Sequence, residues 1–164
     1  MSLYLKSALF VLVVGGFAML CVPTLLLATT GEALPSRLGP LQASGLLLGV
    51  LGFSAYIRCI LGFVRTGRGT PSPADPPRRL VTHGLYQYTR NPIYVSVLVI
   101  VCSEALVFSS VALGVYASLL FLAFHAFVVY YEEPTLARSF SDEYEAYRRS
   151  TPRWFGLRSM RRGS

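Results

Sequence analysis

Charge is what this chain has least of. Asp, Glu, Lys and Arg together make up 14% of its 164 residues, and only 8 of them are acidic, where a soluble domain carries about 25% charged residues. With 53% hydrophobic residues and a mean hydropathy of +0.51, that shortage excludes an ordinary water-soluble globule and a disordered segment. Cysteine is almost as scarce. Cys21, Cys59 and Cys102 each lie in an apolar stretch at spacings that match no zinc or redox motif, so neither a disulfide scaffold nor a metal centre is expected. They read as small buried hydrophobes. A Gly-rich dinucleotide fingerprint is also missing. What remains, at the length of one domain, is an integral membrane protein.

Four apolar runs carry that reading. Residues 8–29 hold no charge and one proline, Pro23; residues 41–64 hold only Arg58; residues 93–108 hold only Glu104; residues 111–131 hold His125 as the one readily titratable group. At 1.5 Å rise per residue, roughly 20 residues cross a hydrocarbon core of about 30 Å. Three runs reach that length, and the shorter third forms half of a hairpin turning at Ser109-Ser110. Barrel strands alternate in polarity and these runs do not. The expected fold is therefore all-α: four transmembrane helices in a single membrane domain, with a cytoplasmic C-terminal amphipathic helix. The first run exceeds a signal-peptide core and has no small-x-small cleavage site after it, so it is read as a helix of the mature protein.

The net charge of +7 is first a statement about orientation. Of 15 Lys and Arg, 13 fall at the N-terminus, in the middle loop 65–92 or in the tail after Tyr131, with Arg37 alone in the first loop and Arg58 inside a span. The positive-inside rule puts both termini and the middle loop in the cytoplasm, and an even number of spans requires the termini to share a side. Arg58 and Glu104 sit near span ends and can snorkel to opposite surfaces. Gly45 and Gly49 form a GxxxG that lets another helix approach, for internal packing or dimerisation alike.

Polar chemistry collects in two cytoplasmic segments. After the Gly/Pro-rich stretch 66–77, residues 78–94 carry Gly84, which permits a tight turn or a close backbone approach, and then Asn91-Pro92. Asn is a good N-cap and Pro suits a first helical turn, so the third helix opens at the membrane surface with a dipole end that attracts carboxylate or phosphate. Tyr86, Tyr88 and Tyr94 surround it. An interfacial aromatic belt accounts for the same residues equally well. The second segment, 130–154, starts with Glu132 and Glu133, which oppose both the helix dipole and the positive-inside trend. A helix restarting at Pro134 would align Leu136, Phe140, Tyr144 and Tyr147 as an amphipathic stripe, which also suits an anionic leaflet. His125 precedes Glu132 by seven residues, which puts both on one helical face about 10.5 Å apart. It serves either function or a hydrogen bond to a neighbouring helix.

These two segments are similar to the signatures of one family. Gly84-Leu-Tyr-Gln-Tyr-Thr-Arg-Asn-Pro-Ile-Tyr94 resembles the GxYxxxRHPxY motif of integral membrane methyltransferases, and Glu132-Glu-Pro-Thr-Leu-Ala-Arg-Ser-Phe-Ser-Asp-Glu-Tyr-Glu-Ala-Tyr147 with Pro152-Arg153 resembles their EExxLxxxFGxxYxxYxxxxPR motif. The family includes isoprenylcysteine carboxyl methyltransferases and phospholipid N-methyltransferase-like proteins. Asn91 stands where the motif has His, and Ser141 where it has Gly. The resemblance implies S-adenosyl-L-methionine as cofactor at the cytoplasmic membrane face, without a metal. It implies Arg79, Leu80, Val81, Gly84, Tyr86, Arg90, Asn91, Pro92, Ile93, Tyr94 and Glu132 as the cofactor-binding set. Tyr faces attract a sulfonium, and a carboxylate pairs with an ammonium or accepts from ribose hydroxyls. Methyl transfer from a sulfonium is an in-line displacement that needs alignment above all; for an amine acceptor, Glu133 or His125 would take the proton as the catalytic base. Arg148 and Arg153 are candidates for a substrate phosphate or carboxylate. The acceptor would be a lipid or apolar small molecule entering from the bilayer, and carboxylate, amine and thiol all suit the residues.

Two other classes of function suit a chain of this composition. A non-catalytic four-helix scaffold or transporter subunit should show inverted repeats or broken helices at mid-membrane, and the halves show no convincing repeat. A basic tail that binds nucleic acid or anionic lipid would function without Glu132, as a cofactor site would not; nucleic acid is not the expected partner.

Overall fold

A computed structural model describes residues 15–33, 35, 37–66 and 80–155. Among these residues there is no strand. The chain runs from α1, a π turn at Phe17–Cys21 continued as an α-helix over Val22–Thr30, to α2 at Pro40–Thr66. A 3-10 turn at Gly84–Gln87 leads to α3, Pro92–Phe108. Next comes α4, Val111–Phe127, then a π turn, Val128–Glu132, and α5, Glu133–Ser150. These bounds match the four apolar runs within a residue or two, apart from the first, of which residues 8–14 lie outside the described residues.

The hairpin at Ser109-Ser110 forms as expected. Ser109 takes the left-handed conformation (φ 52°) and its N–H closes onto Ala105 and Leu106, while the Ser110 hydroxyl caps α4 by accepting from the Leu113 N–H at 3.1 Å. Packing follows from glycine on one helix and small or branched residues on the next. A Cβ at Gly45 would lie 3.0 Å from the Ser103 carbonyl, one at Gly49 2.8 Å from the Ser103 hydroxyl, and one at Gly52 2.8 Å from Val99. The GxxxG face is therefore used internally, to bring α2 onto α3, with Gly52 extending it by one turn. α3 in turn packs on α4, and α1 on both α3 and α4. All four helices meet around Ala18, Met19, Tyr56 and Val97, flanked by Leu120 and Phe124.

The outward faces are apolar. Leu47, Val50, Leu51 and Phe53 on α2, and Val111, Val115, Leu119 and Leu122 on α4, are each more than half exposed. A water-soluble protein does not present two such faces; lipid contact demands them. Two helical stretches, Pro40–Gly62 and the continuous Val111–Ser150, are long and apolar enough to cross a membrane, and Phe17–Thr30 and Pro92–Phe108 are apolar but shorter. Glu104, expected to snorkel outward, is instead half-buried, with an Oε2 that has no hydrogen-bond partner.

Two prolines behave differently from the expectation. Pro134 does not restart a helix, because the helix never stops. In both places where proline enters, a π turn ends two residues earlier: Phe17–Cys21 before Pro23 and Val128–Glu132 before Pro134, closed by Val22 N–H to Phe17 O and Glu133 N–H to Val128 O. Proline lacks the N–H for an i→i−4 bond and clashes with that carbonyl; widening the preceding turn to i→i−5 relieves both faults. The interruption comes later, at Ser141 (φ 40°, ψ −115°). That conformation favours glycine and strains any other residue, which gives a physical reason for the Gly of the resembled motif. The kink splits the expected stripe: Tyr144 and Tyr147 beyond it are buried, whereas Leu136 and Phe140 before it are only half-buried.

Candidate functional site

The two polar segments, some 40 to 60 residues apart in sequence, fold onto one another. The first is shaped by Gly84, whose φ of +65° opens the 3-10 turn in a region that glycine alone enters freely. No atom lies within 4 Å of where its Cβ would be, so the glycine serves the turn and not a tight contact. The turn buries Tyr86 against Val81, and the Tyr86 carbonyl accepts the Tyr147 hydroxyl at 2.7 Å. Burial raises the pKa of both phenols, keeping them neutral donors.

Residues 89–91 are clamped by the strap that follows α5. The Arg90 N–H donates to the Pro152 carbonyl at 2.9 Å. The Arg153 carbonyl accepts from the Thr89 hydroxyl at 3.0 Å and the Asn91 amide at 2.9 Å. Asn91 does occupy the residue before α3, but its side chain does not cap the helix. The reason is competition: its amide is committed to a carbonyl 62 residues away. The expectation of a capping Asn91 is therefore corrected, and Thr89 accepts the Asn91 N–H at 3.2 Å instead.

The paired acids go to different partners. Glu132 Oε2 accepts the Tyr94 hydroxyl at 2.9 Å, and the Tyr94 ring packs on Phe124 with centroids 4.8 Å apart. Glu133 takes Arg153 in a bidentate pair at 2.7 and 2.9 Å and Arg90 at 3.0 Å, while Arg90 also donates to the Tyr144 hydroxyl at 3.0 Å. Their acidities diverge accordingly. Burial, with the neighbouring Glu133 charge, pushes Glu132 up against the pull of the Tyr94 hydrogen bond. Burial also acts to raise Glu133, but the Arg153 hydrogen bond and the charges of Arg90, Arg153 and Arg148 outweigh it and hold Glu133 below the usual carboxylate range. Arg90 keeps one donor in hand: its Nε is buried without a partner.

His125 and Glu132 take different partners. The intervening π turn shifts the register that a regular helix would have given. His125 Nδ1 accepts the Trp154 indole N–H at 3.1 Å, and the indole also packs on Phe121 with centroids 5.3 Å apart. Of the expected residues, the structure thus gathers Arg90, Asn91, Tyr94, Glu132, Glu133 and Arg153, with Tyr86 and Val81 beneath and Pro92 and Ile93 starting α3. Leu80 is half-buried beside Val81, and Gly84 is exposed. Arg148 is not gathered; it pairs with Glu145 at 3.1 Å on an exposed face. Arg79 lies outside the described residues. Sequence reasoning missed Thr89, Tyr144 and Trp154 as members. For Tyr144 the signal was its place in the apolar stripe; for Thr89 and Trp154 the partners are tertiary and leave no local trace.

The cluster therefore holds a carboxylate bonded to one tyrosine, Glu132 on Tyr94, and an arginine, Arg90, bonded to Glu133 and Tyr144 with its Nε unpartnered. Among the described residues no group of His, Cys, Asp and Glu is placed to hold a metal ion. A family model described as phospholipid methyltransferase matches residues 41–143, which takes in α2, α3, α4 and both acids. No curated protein matches the sequence.

Proposed function

The chain belongs to the phospholipid methyltransferase family, and from that premise we propose that it methylates a lipid or lipid-like acceptor with S-adenosyl-L-methionine bound at the cytoplasmic membrane face. As a member it is an all-helical membrane protein of a methyltransferase family with lipid substrates. The donor, the site and its sidedness are our reading. One observation carries it: the turn before α3, the first turn of α3 and the π turn after α4 bring a half-buried carboxylate, a largely buried arginine with an unpartnered Nε and a tyrosine hydroxyl into one cluster at the edge of the apolar region.

When bound, S-adenosylmethionine supplies a methyl group on a sulfonium, already activated for displacement. Glu132, oriented by Tyr94, pairs with the cofactor's ammonium or ribose hydroxyls. Arg90, whose Nε has no partner, would take the cofactor's carboxylate. Tyr86, Val81, Leu80, Gly84, Asn91, Pro92 and Ile93 would line the site, and Arg79, which lies outside the described residues, belongs to the set by the resemblance alone. Glu133 holds Arg90 and Arg153 in place and would receive a proton only if the acceptor is an amine; His125, whose Nδ1 already accepts the Trp154 indole N–H, has no free lone pair for that task. Arg153, which is about one-third exposed beside Glu133, would attract the acceptor's head group, and the exposed Arg148 the anionic lipid surface. Catalysis rests on alignment, since the leaving group needs no assistance.

Calorimetric titration of the detergent-solubilised protein with S-adenosylmethionine and with its demethylated product tests this. Both bind the wild type, and Glu132→Gln, which keeps an acceptor for Tyr94 but removes the charge, weakens both about 10- to 150-fold, the range of a charge-assisted hydrogen bond. Absence of binding to the folded wild type overturns the proposal in favour of a non-catalytic scaffold. Transfer of an isotope-labelled methyl group into a lipid extract then identifies the acceptor.

A further inference from the structure

The strap 151–154 is tied at every residue. The Thr151 N–H donates to the Tyr147 carbonyl, Pro152 accepts from Arg90, Arg153 holds Thr89, Asn91 and Glu133, and Trp154 donates to His125. The first three ties stay within α5, the 89–91 turn and Glu133. Only the last reaches α4, seven residues before Glu132. We propose that His125 and Trp154 form a latch that positions the cofactor site from outside it: His125 is a positioning residue acting through Trp154 on Arg153, and through Arg153 on Glu133, Thr89 and Asn91. The inference rests on the reading of the site given above.

The chemistry of the pair defines the latch. An indole nitrogen is a donor only, so it needs an acceptor wherever it is shielded from water. His125 meets that need with Nδ1, which must then carry a lone pair and leave the imidazole proton on Nε2. Phe121 and the imidazole flank the indole ring, with centroids 5.3 and 6.1 Å away, so ring contact and hydrogen bond act on the same residue. If the acceptor is removed, Trp154 loses its reason to lie on α4. The strap is then fixed only by its ties to Tyr147, to the 89–91 turn and to Glu133, with none to α4. Arg153 no longer imposes one geometry on the Glu133–Arg90 pair beside the cofactor carboxylate and ammonium positions.

The chain contains a single tryptophan beside ten tyrosines, so fluorescence excited at the red edge, where tyrosine does not absorb, reports the latch alone. Four variants test it: His125→Leu removes the acceptor, His125→Asn keeps an acceptor oxygen near the Nδ1 position, Trp154→Phe keeps a ring without the donor, and the fourth combines His125→Leu with Trp154→Phe. For S-adenosylmethionine and its demethylated product, His125→Leu and Trp154→Phe each weaken binding about five- to tenfold, as loss of one oriented hydrogen bond implies. His125→Asn restores most of the affinity. The double variant is no weaker than either single one, because both break the same link. The Trp154 emission of His125→Leu shifts to the red and becomes more accessible to iodide, while that of His125→Asn stays with the wild type. A merely structural role would lower the melting temperature of all four variants and leave affinity untouched well below it. Unchanged affinity in both single variants, or additive losses in the double, overturns the positioning role. Unchanged emission in His125→Leu overturns the latch itself, whatever the cofactor does. A wild type that binds neither compound, with the emission shift intact, overturns the site reading and the role assigned to the latch within it, leaving a strap fastening alone.

Discussion

Adjacent glutamates with opposite fates show how little a residue type says without its partners. Glu132 closes the π turn and Glu133 opens α5, yet the first accepts a single tyrosine hydroxyl and the second is gripped by two arginines. The pairing of Glu133 has a pH signature whose sign can be worked out. Its carboxyl is held below the usual value in the folded protein, despite burial, by Arg153 and Arg90. A depressed folded value means the unfolded chain binds the proton more readily, so the stabilisation is complete above the unfolded value of about 4.3 and disappears as pH falls through the lower folded value. Glu133→Gln lacks this term at every pH. The variant is thus expected to be less stable than wild type by about 2–3 kcal/mol near pH 7, the magnitude for breaking a charged, largely buried pair. The gap should close as the pH is lowered below about 4. Thermal unfolding followed by circular dichroism between pH 7 and pH 3 reads the difference directly, and a gap that persists at pH 3 shows that the loss was of shape and not of charge.

At the scale of the elements, the contact between α2 and α3 is set by three glycines and one serine. Gly49 faces the Ser103 hydroxyl, which in turn donates to the Ile100 carbonyl at 2.6 Å, whereas Gly45 faces the Ser103 carbonyl itself. These two sites make different predictions. At Gly45 an added methyl meets backbone, which has nowhere to go, so Gly45→Ala should cost about 1–3 kcal/mol by overpacking. At Gly49 the obstacle is one hydroxyl, so Gly49→Ala alone destabilises but the pair Gly49→Ala with Ser103→Ala recovers most of the loss. Melting temperatures of the single and double variants measure this coupling; simple additivity refutes the close approach at Gly49. The existence and bounds of the helices were legible in the sequence, because an uncharged run of some 20 residues has few other solutions in a membrane. That the GxxxG packs internally was not, since apolar spacing is the same for a neighbouring helix and a second chain. Pro23 and Pro134 misled for a related reason: proline forbids one hydrogen bond locally, and the π turn that spares the helix is a decision of the whole backbone around it. Within the site, the motif residues Arg90, Tyr94, Glu132 and Glu133 were legible as a set, while the carbonyl that claims Asn91 and the imidazole that claims Trp154 lie 62 and 29 residues away and are decided only by folding.

For the whole molecule, the apolar and polar regions divide along the rod formed by α4, its π turn and α5. From Val111 to Tyr131 the rod is free of formal charge, and from Glu132 onward it is rich in it; 21 residues at 1.5 Å make about 30 Å, the thickness of a hydrocarbon core. Glu132 therefore falls at the boundary, where a polar donor and a lipid acceptor can meet. The partner helix α3 is shorter, 17 residues, or about 25 Å, so the Ser109-Ser110 hairpin is expected to thin the opposite leaflet locally without emerging far from it. Which leaflet holds the site depends on the arginines: the tail and middle loop carry most of the positive charge and the first loop only Arg37, and on the rule for cytoplasmic loops we propose that the site, the strap and both ends of the chain face the cytoplasm. A chain with Cys21, Cys59 and Cys102 replaced by alanine, carrying one new cysteine, tests this with a membrane-impermeant maleimide. Arg37→Cys should label from outside in intact cells. Asp142→Cys, on exposed α5, should label only after the membrane is permeabilised. An Asp142→Cys protein that labels from outside would turn the site toward the exterior and remove its access to a cytoplasmic methyl donor, while failure of Arg37→Cys to label would take α1 and α2 out of the membrane as a crossing pair.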